Sequence, residues 1–114
     1  MALTSRSFIV AVAVSLAFPV VPAQADETGL ASIHEWRREG GRICMSEHFH
    51  SGSGSGPTKK AAESEAVASW VSFTVFEYGT IWGSFQRAAS KGVACKPKGD
   101  RWQCDVEARP CRTK

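Results

Sequence analysis

Helical periodicity is strongest between Pro57 and Tyr78. Ala62, Ala66, Trp70 and Phe73 follow one another at spacings of four, four and three, which puts them on one face, while Lys59, Lys60, Glu63 and Ser64 fall off it. Pro57 suits the first helical position, where its missing N–H costs nothing, and Gly79 suits the residue that closes a helix. A different rhythm takes over near the C-terminus. Trp102, Cys104, Val106, Ala108 and Pro110 alternate with Gln103, Asp105, Glu107 and Arg109, which predicts a strand with one buried face. Gly99-Asp100 makes a two-residue hairpin loop. Folding the chain there sets Cys95 against Cys104, Pro97 against Trp102 and Val93 against Val106, and gathers all six on one side.

Two further elements are predicted on shorter patterns. Arg42 to His50 reads as a strand with Ile43, Met45 and Phe49 on one face and Cys44, Ser46, His48 and His50 on the other. Thr80 to Gly92 reads as a second, shorter helix that shares Ile81, Phe85 and Ala88 or Ala89 on one side. The low-complexity tract Ser51 to Gly56 between the first strand and the long helix reads as a flexible connector. The expected fold class is therefore α+β: strand, long helix, short helix and C-terminal β-hairpin. A small antiparallel sheet, which the first strand completes, packs on the helices.

The N-terminal pattern belongs to neither element. Arg6, the apolar run Phe8 to Phe18 and the small-x-small motif Ala23-Gln24-Ala25 have the form of a secretory leader cut after Ala25. The expected organisation is a signal peptide over 1–25 and an N-terminal segment over 26–41, which docks by a turn at Trp36 or stays mobile. A single domain over 42–114 follows, with no membrane anchor and a periplasmic or secreted home. Export changes the meaning of the four cysteines, because thiols outside the cytosol are oxidised. With the hairpin register above, Cys95–Cys104 and Cys44–Cys111 is the favoured pairing; the other two connectivities stay open on sequence alone. Loss of Arg6 with the leader would bring the formal charge of +3 to about +2. That balance gives no reason to expect a nucleic-acid partner, although the basic residues collected from Arg87 onward suit an envelope protein or an acidic polysaccharide.

Candidate chemistry is sparse. His48 and His50, two apart on an expected strand, are candidate ligands for zinc, copper or nickel, with His34 as a third only if the N-terminal segment folds back. Gly54 and Gly56 before Lys59 and Lys60 suggest an anion held at a helix N-terminus, although the pattern lacks the Lys-Ser/Thr step of a nucleotide-binding loop. No spacing supports a catalytic triad, a paired-carboxylate site or a cofactor box. Trp70, Phe73, Trp82, Phe85 and Trp102 are most simply the core.

His48-Phe49-His50 ahead of the Ser-Gly tract, Trp70, Glu77-Tyr78-Gly79, Trp82, Cys95, Trp102, Cys104 and Pro110-Cys111 together resemble small exported four-cysteine proteins of alphaproteobacteria. The resemblance runs from about Cys44 to Arg112. It implies a periplasmic location and a disulfide-held fold, and it carries over no catalytic residue. The expected function is a non-catalytic periplasmic binding or interaction module without a cofactor. The alternatives are a metal-binding protein using His48 and His50, and a small hydrolase.

Overall fold

In the computed structural model, which describes residues 9–20 and 25–113, the chain is α+β. The strands are β1 (Trp36–Glu39), β2 (Arg42–Met45), β3 (His50–Gly56), β4 (Ala89–Lys98), β5 (Arg101–Arg109) and β6 (Cys111–Thr113). One long helix, α1 (Lys59–Tyr78), and two short 3-10 turns, Leu30–Ile33 and Thr80–Trp82, complete the order. The strands form two antiparallel three-stranded sheets, β1-β2-β6 and β3-β5-β4. Residues 9–20 are exposed and carry no regular element, while Arg6, Phe8 and the Ala23-Gln24 part of the expected cleavage motif lie outside the described residues.

The second sheet explains the Ser-Gly tract, which is a strand and not a flexible connector. Its glycines face α1 and its serines face away. A Cβ on Gly52 would stand 2.5 Å from the Trp70 nitrogen, and one on Gly54 would stand 2.7 Å from the Ala62 carbonyl oxygen, so any side chain there would collide with the helix backbone. Glycine is used because β3 and α1 meet backbone to backbone, and Ala62 and Ala66 supply the matching small face on the helix. The low complexity of the tract records a close contact repeated every second residue.

Helix α1 is capped by Thr58, whose hydroxyl accepts from the Ala61 N–H at 3.1 Å, so Pro57 precedes the cap and stands two residues before the first helical position expected for it. Its buried face is Ala62, Ala66, Trp70, Thr74 and Tyr78, a strict step of four. The expected position of Phe73 is corrected by this: half of Phe73 is exposed, and Thr74 points inward instead. Trp70, Ala62 and Ala66 pack with Cys104, Val106 and Ala108 of β5, and Trp102 and Phe85 lie against that cluster.

Hairpin β4–β5 pairs Val93 with Val106, Cys95 with Cys104 and Pro97 with Trp102, and β3 adds on the other side of β5. The disulfides are Cys95–Cys104 within this hairpin and Cys44–Cys111 between β2 and β6, with Cα separations of 4.1 and 4.0 Å. The expected first strand over Arg42 to His50 is split, because β2 ends at Met45 and the chain bends before β3 opens at His50. The expected helix over Thr80 to Gly92 is one 3-10 turn that gives way to β4 at Ala89. Two geometric needs end it early. Gly83 leaves room for the Val75 side chain where a Cβ would collide with it, and ten residues from Ala89 pair with β5 in extended form. The single expected sheet is likewise two, because β5 passes through buried Pro110 into β6 and delivers the chain from one sheet to the other.

The N-terminal segment is built into the first sheet. β1 pairs with β2 from Trp36↔Met45 to Glu39↔Arg42, and the turn before it places Ala31 in a second small core with Met45, Tyr78 and Trp82. Arg109 locks the two sheets together. Its guanidinium donates to both carboxylate oxygens of Glu39, at 2.6 and 2.7 Å, and to the Met45 carbonyl at 2.6 Å.

Candidate metal centre

The seam between the two cores carries the densest group of titratable side chains. Three segments meet there. A strap over residues 25–35 crosses the C-terminal end of α1, where the Thr28 N–H donates to the Tyr78 carbonyl and the Ile81 N–H to the Asp26 carbonyl. Gly79, at φ 105°, permits this crossing, since a Cβ there would strike the Asp26 backbone. The strap carries His34 near its end. The bend between β2 and β3 supplies His48, the first residue of β3 is His50, and the Ser46 N–H donates to the Glu35 carbonyl to hold bend and strap side by side. The last turn of α1 supplies Thr74, Glu77 and Tyr78.

The rings stack closely. His34 and His48 lie with centroids 4.1 Å apart, His48 and His50 meet edge to face at 5.2 Å, and His50 stacks on Tyr78 at 4.7 Å. One ring nitrogen each from His34 and His48 and one carboxylate oxygen of Glu77 lie within 4.8 Å of one another. The Tyr78 hydroxyl is 2.9 Å from His34 Nε2. His50 is the innermost member, with its side chain 1% exposed against 30% for Glu77. Its Nδ1 is 2.9 Å from the Thr74 hydroxyl, which itself donates to the Trp70 carbonyl at 2.7 Å. Its Nε2 is 3.1 Å from Glu77 Oε2 but makes no directed hydrogen bond.

Burial sets the charge state of this group. Desolvation, with His48 and His34 beside it, holds His50 down at about 4. Desolvation first and the His34 ring second lower His48, against the pull of Glu77. Desolvation and the Glu77 charge push the Tyr78 phenol up, so it stays a hydroxyl. His48 and His50 are therefore neutral at neutral pH and keep a lone pair for a cation. A cleft of about 240 Å³ lined by Ile33, His34, Glu35, Ser46, Glu47 and His48 opens onto the His34 and His48 side of the cluster.

Of the sequence-predicted residues, His34 and His48 converge, because the strap does fold back, and His50 lies one layer further in. Glu77, Tyr78 and Thr74 were not singled out for chemistry. The signal that could have found them is the step of four from Trp70, which carries Thr74 and Tyr78 to the buried face, with Glu77 beside it. Gly54 and Gly56 are packed against the helix, and Lys59 and Lys60 are exposed on its first turn. The close spacing of Cys95 and Cys104 marks a non-hydrogen-bonded pair, so the Cys104 backbone faces β3 and engages Gly54. That glycine's amide serves the sheet. A larger groove, about 460 Å³, crosses the outer face of the second sheet by Ser51, Ser53, Asp105 and Glu107, away from the histidines.

Comparison of the chain with protein families, with curated proteins and with solved structures finds no match.

Proposed function

We propose that the protein binds a divalent transition-metal ion, zinc or copper, through His34, His48 and Glu77, and acts outside the cytosol as a binding protein. The observation that carries this reading is the convergence of two imidazoles and a carboxylate, each brought by a different segment, within 4.8 Å. Zinc bonds of 2.0–2.1 Å place tetrahedral ligands about 3.3 Å apart, so the three donors need to close by roughly 1.5 Å at most. Rotation of side chains on the strap and the bend covers that distance. Imidazole and carboxylate suit zinc and copper better than hard cations, which take oxygen alone. With the Tyr78 hydroxyl at Nε2 of His34, Nδ1 is the nitrogen left for the ion, and Nε2–H then donates to the phenolic oxygen.

The location rests on separate support. Two disulfides fit an oxidising compartment, and among the described residues no helix is long and apolar enough to cross a membrane. The leader pattern at the N-terminus agrees with that reading. Titration calorimetry with Zn²⁺ on untagged protein tests the function. One ion per chain with micromolar or tighter affinity is expected, weakened at least tenfold by His34→Ala, His48→Ala or Glu77→Gln. Absence of heat at micromolar zinc, or equal affinity in all three variants, overturns it.

A further inference from the structure

We infer that His50 is the fourth metal ligand, through Nε2, and that the site is a closed His₃-carboxylate centre with no position left for a substrate or exchangeable water. The inference rests on the metal reading above and deepens it.

Hydrogen bookkeeping around His50 leads there. The Thr74 hydroxyl has one hydrogen, and it goes to the Trp70 carbonyl, which can only accept. The same hydroxyl is 2.9 Å from His50 Nδ1, so Nδ1 must be the donor in that contact. A ring that donates from Nδ1 turns its Nε2 the other way, toward Glu77. His50 Nε2 lies 3.1 Å from Glu77 Oε2, in a side chain that is 1% exposed and has no other partner for the atom. A buried ring nitrogen held this close to a carboxylate oxygen without a directed hydrogen bond is a position that a bound cation satisfies. Their separation is also close to the roughly 3.3 Å between neighbouring ligands of tetrahedral zinc. An Nδ1–H anchored on a hydroxyl, with Nε2 free and aimed at a carboxylate, is the arrangement that orients a ligating histidine.

His50 and Glu77 are therefore a preset pair on the inner side of the seam, and His34 and His48 close over the ion from the cleft side. This differs from a site of three protein ligands and one open position, which is the catalytic arrangement. Four protein ligands retain the ion and do no chemistry on a bound substrate.

Cobalt(II) in place of zinc tests it. The loaded wild-type protein should give the intense visible bands of four-coordinate tetrahedral cobalt, and added imidazole should leave them unchanged. His50→Gln should bind Co²⁺ at least tenfold more weakly, and exogenous imidazole should restore the wild-type bands. Because a buried substitution can impair folding, ¹⁵N NMR of the wild-type histidines supplies a second readout. On zinc addition the His50 Nε2 resonance should leave the position of a bare imidazole nitrogen while Nδ1 stays protonated. Thr74→Val should weaken zinc binding by 10- to 100-fold. Cobalt bound with bands that imidazole shifts, or a His50 Nε2 resonance unmoved by bound zinc, overturns the fourth ligand and leaves the three-residue site standing. Failure to bind either ion overturns both.

Discussion

Gly54 and His50 are each a single residue whose surroundings set a measurable cost. Adding one methyl at Gly54 forces α1 away from β3, because the new carbon would overlap the Ala66 backbone. We expect Gly54→Ala to destabilise the protein by about 2 to 3 kcal/mol, and Ser51→Ala, whose side chain is exposed on the other face, to change it by less than about 0.5 kcal/mol, as urea denaturation would show. His50 carries a pH dependence of defined sign. Its folded value of about 4 lies below the ordinary 6.5, so between those pH values the unfolded chain binds more protons. Stability of the metal-free protein should fall by of order 3 kcal/mol as pH drops through that window. Glu39, held down at about 2 by its hydrogen bond to Arg109, acts in a lower window. The stability it contributes is present above about 4.5 and is lost as pH falls toward 2. Urea midpoints measured from pH 8 to 3 separate the two, since His50→Gln should remove the upper loss only. A flat profile between pH 6.5 and 4 in the wild-type protein contradicts the buried neutral imidazole.

At the level of elements, legibility followed periodicity. The hairpin register could be read because alternation from Trp102 to Pro110 folds about Gly99-Asp100, and it favours Cys95–Cys104 with Cys44–Cys111 while leaving the other two connectivities open; the structure has the favoured pair. Helix α1 could be read from the spacing of Ala62, Ala66 and Trp70, although that reading goes on to Phe73 where the structure buries Thr74. Periodicity failed where the apolar partner was backbone: the Ser51–Gly56 strand carries no apolar side chain, so nothing in its pattern announces the helix lying against its glycines. It failed again at Thr80–Trp82, where the same Ile81, Trp82 and Phe85 that suit a helix are buried or half-buried around one 3-10 turn. The disulfides give a graded prediction at this scale. The Cys44–Cys111 link spans 67 residues and Cys95–Cys104 spans 9, so chain entropy assigns them about 4 and about 2.5 kcal/mol. Replacing the first pair by serine should lower the urea midpoint more than replacing the second, and the reverse order would mean that native packing, not loop closure, sets their worth.

For the whole molecule, the histidine cluster is a product of topology. His34, His48, His50 and Glu77 come from a strap, a bend, a strand start and a helix end, and the second core of Ala31, Met45, Tyr78 and Trp82, with the backbone hydrogen bonds of the strap, brings these together. A sequence reading could pair His48 with His50 by their spacing, but it could not place Glu77, because that contact depends on how α1 crosses β3. Metal binding should therefore clamp the strap, the bend and the helix as one unit. With zinc at a hundred times its dissociation constant the folded state gains about 2.7 kcal/mol, which should raise the melting temperature by roughly 10 °C or more. The most direct measurement is X-ray absorption at the zinc edge of the loaded protein after gel filtration. The structure predicts a first shell of nitrogen and oxygen at about 2.0–2.1 Å with the outer-shell scattering of several imidazoles and no sulfur. A shell of oxygen without imidazole would contradict the centre.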